Sequence, residues 1–249
     1  MEEQEINLYG KTVVITGATG GIGSAIAFEF AKAGANIAIC YNNATLTAEE
    51  YKSQIEQLGR KAECYQLDVS DEKSVKKVMK AIYNEFGQID ILINNAGVSV
   101  SKYIIKTAES VFDKIMGTNF KGTFLCMKTA AKYMMKNGGE IINIASMLGS
   151  YPDANDGVYA ASKAAVITLS QAAALELESS NIRVNVINPG MVETNMTKKS
   201  YSDEKKAAYI GTIPVRRLAT GKDIANTAVM IASSTYINGQ VFNIDGGLV

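Results

Sequence analysis

The feature that most constrains this chain is its rhythm. Short apolar runs, uninterrupted by polar residues, alternate with helical stretches at intervals of about 25 residues. The runs are Thr12 to Thr16, Asn36 to Tyr41, Ala62 to Leu67 and Asp90 to Ile93, then Ile141 to Ala145, Arg183 to Ile187 and Gln240 to Ile244. A strand with one wet face alternates apolar and polar residues, whereas a run apolar on both faces has to be covered on both. Between the runs lie Ile22 to Lys32, Thr47 to Leu58 with Thr47 and Glu50 spaced as a capping box, and Asp71 to Phe86 stopped by Gly87. Glu109 to Lys136, with Gly117 and Gly122 as weak points, a segment from near Val158, and Lys222 to Ala232 continue the series. Parallel strands joined by crossover helices satisfy this pattern. We therefore expect an α/β chain, one domain over residues 1–249, with a doubly wound parallel sheet of about seven strands and helices on both faces. Only residues 190–220 break the rhythm and read as an inserted loop with a short helix.

Composition removes several classes of function. Lysine plus arginine and aspartate plus glutamate number 25 each, so the net charge is zero, and no basic field exists for nucleic acid or anionic membrane. There is no histidine, which excludes serine-histidine triads and histidine-ligated metal, and no metal site is expected. Acid–base work near neutral pH then falls to a carboxylate, lysine, cysteine or tyrosine with a shifted pKa. Cys40, Cys64 and Cys126 are widely spaced, lie in or beside apolar runs, and read as core residues. The start, M-E-E-Q-E-I-N, is the wrong chemistry for a secretory signal, and no apolar run reads as membrane-spanning. A cytoplasmic protein without nucleic-acid or membrane partners is the expectation.

The first run delivers the turn T-G-A-T-G-G-I-G, formed by Gly17, Thr19, Gly20, Gly21, Ile22, Gly23 and their neighbours. A glycine-rich turn between a strand and a helix lets backbone N–H groups approach a pyrophosphate, which the helix N-terminus also stabilises. This is the context of a Rossmann dinucleotide site. An NAD site usually carries Asp or Glu at the end of the second strand, to hold the ribose hydroxyls. Here that end reads Cys40-Tyr41-Asn42-Asn43. Without the acid nothing there repels a 2′-phosphate, and Asn42 and Asn43 are donors, so NADP(H) is favoured over NAD(H).

A second stretch carries reaction chemistry. The run I-I-N-I-A leads into Ser146, a loop follows, and Tyr159 and Lys163 come four residues apart on the next helix, one turn apart on one face. A phenol beside an ammonium is a way to bring a group with a pKa of about 10 toward neutrality. Tyr201 and Lys205 share the interval, but thirteen residues before Tyr201 stands Asn188, not a serine.

Taken in order, the glycine turn, Asp68-Val69, N-N-A-G at Asn94 to Gly97, Asn119, Ser146, Tyr159-x-x-x-Lys163, Pro189-Gly190 and Thr194 resemble the short-chain dehydrogenase/reductase family over essentially the whole chain. The resemblance implies an NAD(P)(H)-dependent oxidoreductase that interconverts a secondary alcohol and a ketone. Tyr159 would be its acid/base and Lys163 would hold the nicotinamide ribose and lower the phenol pKa. Ser146 would bond the substrate oxygen, and Asn119 would hold a water in a proton relay. It further implies that Asp68 and Val69 flank the adenine and that Asn95, Ala96 and Gly97 line the cofactor path. Pro189, Gly190, Val192 and Thr194 would approach the nicotinamide end. Asn94 reads as a structural tie between strands. A homotetramer built partly through the Tyr159 helix is implied as well.

Within the family the chain is most similar to the 3-oxoacyl-[acyl-carrier-protein] reductases. Where that subgroup has basic residues to dock the acidic carrier, this chain has Asn137-Gly138-Gly139-Glu140 and Glu178-Ser179-Ser180, which argues against carrier docking. Ser146, Met147, Tyr151, Tyr159, Met191 and Met196, with Leu148, Tyr201 and Tyr209, are the expected substrate wall. Its methionines and tyrosines suit a bulky apolar ketone or alcohol. A hydroxysteroid or a sugar or polyol is the alternative small-molecule substrate. A non-catalytic NADP-sensing protein is the alternative of another class.

Overall fold

Seven parallel strands form one sheet in the computed structural model, which describes residues 7–194, 197 and 203–249. The first half runs β1 (Thr12–Thr16), α1 (Gly21–Lys32), β2 (Asn36–Tyr41), α2 (Thr45–Gln57), β3 (Ala62–Gln66), α3 (Glu72–Phe86) and β4 (Ile91–Asn94). The second half holds α4 (Glu109–Ile115), α5 (Gly122–Met134), β5 (Gly139–Ile144), α6 (Gly157–Glu176), β6 (Ile182–Pro189), α7 (Asp203–Thr212), α8 (Gly221–Ser233) and β7 (Val241–Ile244).

The uninterrupted apolar runs are explained by where alternate side chains go. Val13 and Ile15 pack on the face covered by α1 and α8, with Phe30 and Ile224, while Val14 between them packs on the opposite face with Met79 of α3 and Cys126 of α5. Ile37 and Ile39 against Ala38 and Cys40, and Ile91 and Ile93 against Leu92, divide in the same way. The strand order is β3-β2-β1-β4-β5-β6-β7, so the winding direction reverses between β1 and β4. A crevice opens outside the carboxyl ends of strands at such a switch point, which is where ligands bind in open α/β sheets.

Three local expectations are corrected. Helix α2 begins at Thr45 after Ala44, which makes no side-chain cap, so the Thr47 and Glu50 box is not the helix start. The capping box belongs instead to α8, between Thr220 and Asp223. The stretch from Glu109 to Lys136 is not one helix, because a π turn, Met116–Lys121, separates α4 from α5. Two glycines weaken the helix there, and a Cβ at Gly122 would stand 2.6 Å from Val69 Cγ2, so that position has to stay small. Finally, α6, at 20 residues with mean hydropathy 1.2, does meet the length and composition of a membrane span. In this fold it lies against β5 and β6 and places Tyr159 and Lys163 on the wall of the central cavity.

Cys40 and Cys126 are buried and Cys64 is half-buried, all three as free thiols. Burial pushes the thiols of Cys64 and Cys126 up to about 12, which leaves them unreactive packing residues at neutral pH.

Candidate active site

A cavity of about 1330 Å³ runs along the carboxyl ends of the strands, from the glycine turn across the switch point to α6. Gly17, Thr19, Gly20, Gly21, Ile22, Asn42, Asp68, Val69, Asn95, Ala96 and Gly97 line one arm. Ser146, Met147, Tyr151, Tyr159, Lys163, Pro189, Gly190, Met191, Val192 and Thr194 line the other. Gly23 and Asn119 are not on its wall. Met196 and Tyr201 lie outside the described residues.

The glycine turn is held by its own backbone. Gly17 adopts φ 64°, and a Cβ there would stand 3.0 Å from Ala96 Cα. A Cβ at Gly23 would stand 2.4 Å from Gly17 O and 2.6 Å from Asn95 Nδ2, so only glycine fits. Asn95 Nδ2 donates to the carbonyls of Thr16 and Gly17, both at 3.0 Å, and Thr16 Oγ1 accepts from the N–H groups of Asn95 and Ala96 at the same distance. Asn95 thus fixes the turn besides lining the cavity. Gly20, the N-cap of α1, offers no side-chain cap, so the first N–H groups of α1 are open to an anion from the cavity. This cradle fits the pyrophosphate of a dinucleotide. At the end of β2, Asn42 and Asn43 are exposed and line the cavity with no carboxylate beside them in the sequence before Glu49.

The other arm is assembled by backbone contacts between β5, the loop after it, and α6. Lys163 Nζ is buried and donates to Ile144 O at 2.8 Å, at the last residue of β5. It stands 5.8 Å from the centroid of the Tyr159 ring. Burial lowers its ammonium from the ordinary lysine value to about 8. Ser146 follows β5 in extended conformation, and its Oγ accepts from Leu148 N at 3.2 Å. The loop lies directly on α6, because a Cβ at Gly149 would stand 2.9 Å from both Ala164 N and Lys163 C. That packing sets the serine against the Tyr159 and Lys163 helix.

Asn119 sits in the π turn with no exposed surface. Its Nδ2 donates to Val98 O at 2.9 Å and to Ser162 Oγ at 3.0 Å, and its Oδ1 accepts from Val98 N at 2.8 Å. Ser162 Oγ in turn donates to Tyr159 O at 2.6 Å. A Cβ at Gly97 would stand 3.4 Å from Asn119 Oδ1 and 3.6 Å from Lys163 Nζ, so Gly97 is the gap through which these two groups face one another. Asn94, beneath, donates to Asn143 Oδ1 at 2.8 Å and ties β4 to β5.

Sequence reasoning missed Thr16, Ser162 and the pair Ser101 and Asp156, whose side chains bond at 2.6 Å. Thr16 and Ser162 adjoin recognised motif residues, and that proximity was the available signal. Ser101 and Asp156 are brought together only by the tertiary fold.

A phosphate cradle joined by one cavity to a buried lysine and a tyrosine defines a dinucleotide-dependent oxidoreductase site. Comparison with known proteins narrows this. A family profile described as Enoyl-(Acyl carrier protein) reductase matches residues 17–249. The 3-oxoacyl-[acyl-carrier-protein] reductase of Staphylococcus aureus is 36% identical over 241 residues, covering 96% of this chain and 98% of that protein. The Thermotoga maritima protein of that name is also 36% identical, covering 98% of this chain and all of its own. Among solved structures, a 7α-hydroxysteroid dehydrogenase complexed with NADH and 7-oxo glycochenodeoxycholic acid superposes with a TM-score of 0.95 at 33% identity, covering 99% of this chain and 97% of that one. A putative short-chain alcohol dehydrogenase from Sinorhizobium meliloti gives 0.94 at 35% identity, with 98% of each chain covered. The chain belongs to the short-chain dehydrogenase/reductase family, as an NAD(P)-dependent enzyme that interconverts alcohols and ketones.

Proposed function

We propose that Tyr159 exchanges the proton with the substrate oxygen while Ser146 holds that oxygen. The observation that carries this is the buried ammonium of Lys163, 5.8 Å from the Tyr159 ring and on the same cavity as the glycine cradle. Bringing a phenol from about 10 to near 7 takes about 4 kcal/mol of preference for the phenolate. With the phenolate charge placed at the ring centre, an ammonium 5.8 Å away supplies about 3 kcal/mol at an effective dielectric constant of about 20. The Ser146 hydroxyl adds a donor where negative charge develops on the reacting oxygen. The glycine cradle would hold a nicotinamide cofactor, which would supply or accept the hydride. Lys163 would hold its ribose, and Asn119, behind Gly97, would pass the proton onward through a water.

The cofactor is NADP(H) in this reading, because Asn42 and Asn43 stand where an acid would select NAD(H). Asp68, Val69, Asn95, Ala96 and Gly97 are its adenine and ribose wall, and Pro189, Gly190, Val192 and Thr194 its nicotinamide wall. Substrate contacts fall to Ser146, Met147, Tyr151, Tyr159, Met191 and Met196. The chain is one domain over residues 1–249, with residues 190–220 as the substrate loop. It works as a cytoplasmic homotetramer, and the exposed Glu178 and Ser179 give it a poor surface for an acidic carrier protein, whereas Glu140 is buried against Arg183 and is no part of that surface.

The relatives' names suggest the substrates to try. A 3-oxoacyl thioester, a ketosteroid and a ketose, each offered with NADPH and NADH, test the reading by loss of reduced-cofactor absorbance matched to alcohol formed. Turnover of at least one, faster with NADPH, is the expected result. Tight NADPH binding with no turnover of any ketone would instead favour a cofactor-sensing protein.

A further inference from the structure

The substrate arm of the cavity is not uniformly apolar. Met147 and Met191 are on its wall, but Ser101, Ser150, Asp153 and Asp156 are as well. Asp156 is the N-cap of α6, three residues before Tyr159, and both residues line the cavity. It is 8% exposed, and what surface it has opens on the cavity. Its Oδ1 accepts from Ser101 Oγ at 2.6 Å, which fixes the carboxylate, and Lys102 N donates to Asn155 O at 2.7 Å, which fastens the same two segments together. Its Oδ2 has no hydrogen-bond partner among the described residues, and neither Asp153 nor Asp156 forms an ion pair there.

A buried carboxylate with one oxygen engaged and the other without a protein partner is costly unless something donates to it. Water serves while the cavity is open. A substrate that enters has to displace that water and replace the bond. We infer that Asp156 selects the substrate, favouring a ketone or alcohol that carries a hydroxyl or ammonium donor close to the reacting carbon and disfavouring one with an anionic group there. The inference rests on the ketone reduction proposed above and adds the polarity of its substrate. The methionines then cover the remaining apolar part of the molecule, so the cavity takes an amphipathic substrate instead of a uniformly apolar one.

Steady-state reduction of cyclohexanone and of its hydroxy, amino and carboxylate derivatives by NADPH tests this, in the intact enzyme and in Asp156→Asn and Asp156→Ala. The unaltered enzyme is expected to favour the hydroxy and amino ketones over cyclohexanone in kcat/KM, and cyclohexanone over the carboxylate. Losing a hydrogen bond to a charged group lowers the preference by about 10- to 100-fold, so Asp156→Ala should bring the hydroxy and parent ketones near parity. Asp156→Asn keeps an acceptor for Ser101 and should chiefly shift the amino-to-carboxylate ratio toward one. It also carries the test if the alanine variant misfolds, as judged by NADPH binding. Equal turnover of hydroxy and parent ketones by the intact enzyme overturns the inference and leaves the reaction standing. Unchanged ratios in a folded variant do the same. No turnover of any of the four ketones overturns the inference, while the 3-oxoacyl thioester, ketosteroid and ketose still decide the reaction.

Discussion

Replacing Lys163 by methionine should stabilise the fold while abolishing turnover. The lysine has no surface exposure to speak of, and burial alone holds its ammonium at about 8 where water would leave it near 10.5. That difference disfavours the charged form by about 3 kcal/mol in the folded chain. Methionine has a similar length, fills the same slot and carries no charge, so the substitution removes the penalty. It also removes the bond to Ile144 O, a loss of about 1 kcal/mol, leaving a net gain of about 2 kcal/mol at neutral pH. The sign with pH follows from proton counting. Between about 8 and 10.5 the unfolded chain binds a proton that the folded chain does not, so wild-type stability from this group rises with pH across that window. The advantage of Lys163→Met should therefore be largest below pH 8, cross zero short of 10.5, and turn into a deficit of about 1 kcal/mol above it, where only the lost bond to Ile144 O remains. Urea unfolding of both proteins at one protein concentration, across that range, measures it. Parallel stability profiles, or a methionine variant less stable at neutral pH, would refute the argument that the enzyme carries this ammonium for chemistry and at a cost to the fold.

Two further substitutions test the cofactor arm. Gly23→Ala puts a Cβ 2.4 Å from a backbone oxygen that cannot swing away, and should cost about 1–3 kcal/mol and most of the NADPH affinity. Gly20→Ala, whose Cβ meets only Gly17 O at 3.4 Å, should cost much less stability, and thermal melts of the two variants side by side decide the point. Asn42→Asp should lower the NADPH-to-NADH ratio of kcat/KM by about 10-fold or more, since a carboxylate would face the 2′-phosphate. An unchanged ratio would sink the NADP(H) assignment.

The sheet was legible because each buried strand, apolar on both faces, writes its environment directly into consecutive residues such as Val13, Val14 and Ile15. The glycine turn and the pair Tyr159 and Lys163 were legible because their geometry is local, one turn of backbone each. Helix ends were read less well. Thr47 and Glu50 have the spacing of a capping box, yet α2 starts two residues earlier, at Thr45, with no side-chain cap from Ala44. The π turn at Asn119 was hidden because its glycines mark a weak point in a helix without saying how the backbone departs from it. Contacts between distant segments left no trace in spacing. Ser101 and Asp156 meet only because the loop after β4 folds onto the start of α6, and this contact changes an expected apolar substrate wall into a two-faced one.

The central claim is that the Tyr159 hydroxyl carries the proton, and Tyr159→Phe measures it most directly. Single-turnover oxidation of NADPH with a ketone the intact enzyme reduces, together with an NADPH titration, separates chemistry from binding. The expected result is unchanged NADPH affinity and a rate far below a tenth of that of the intact enzyme. A variant that binds NADPH normally and retains more than a tenth of that rate would contradict the account.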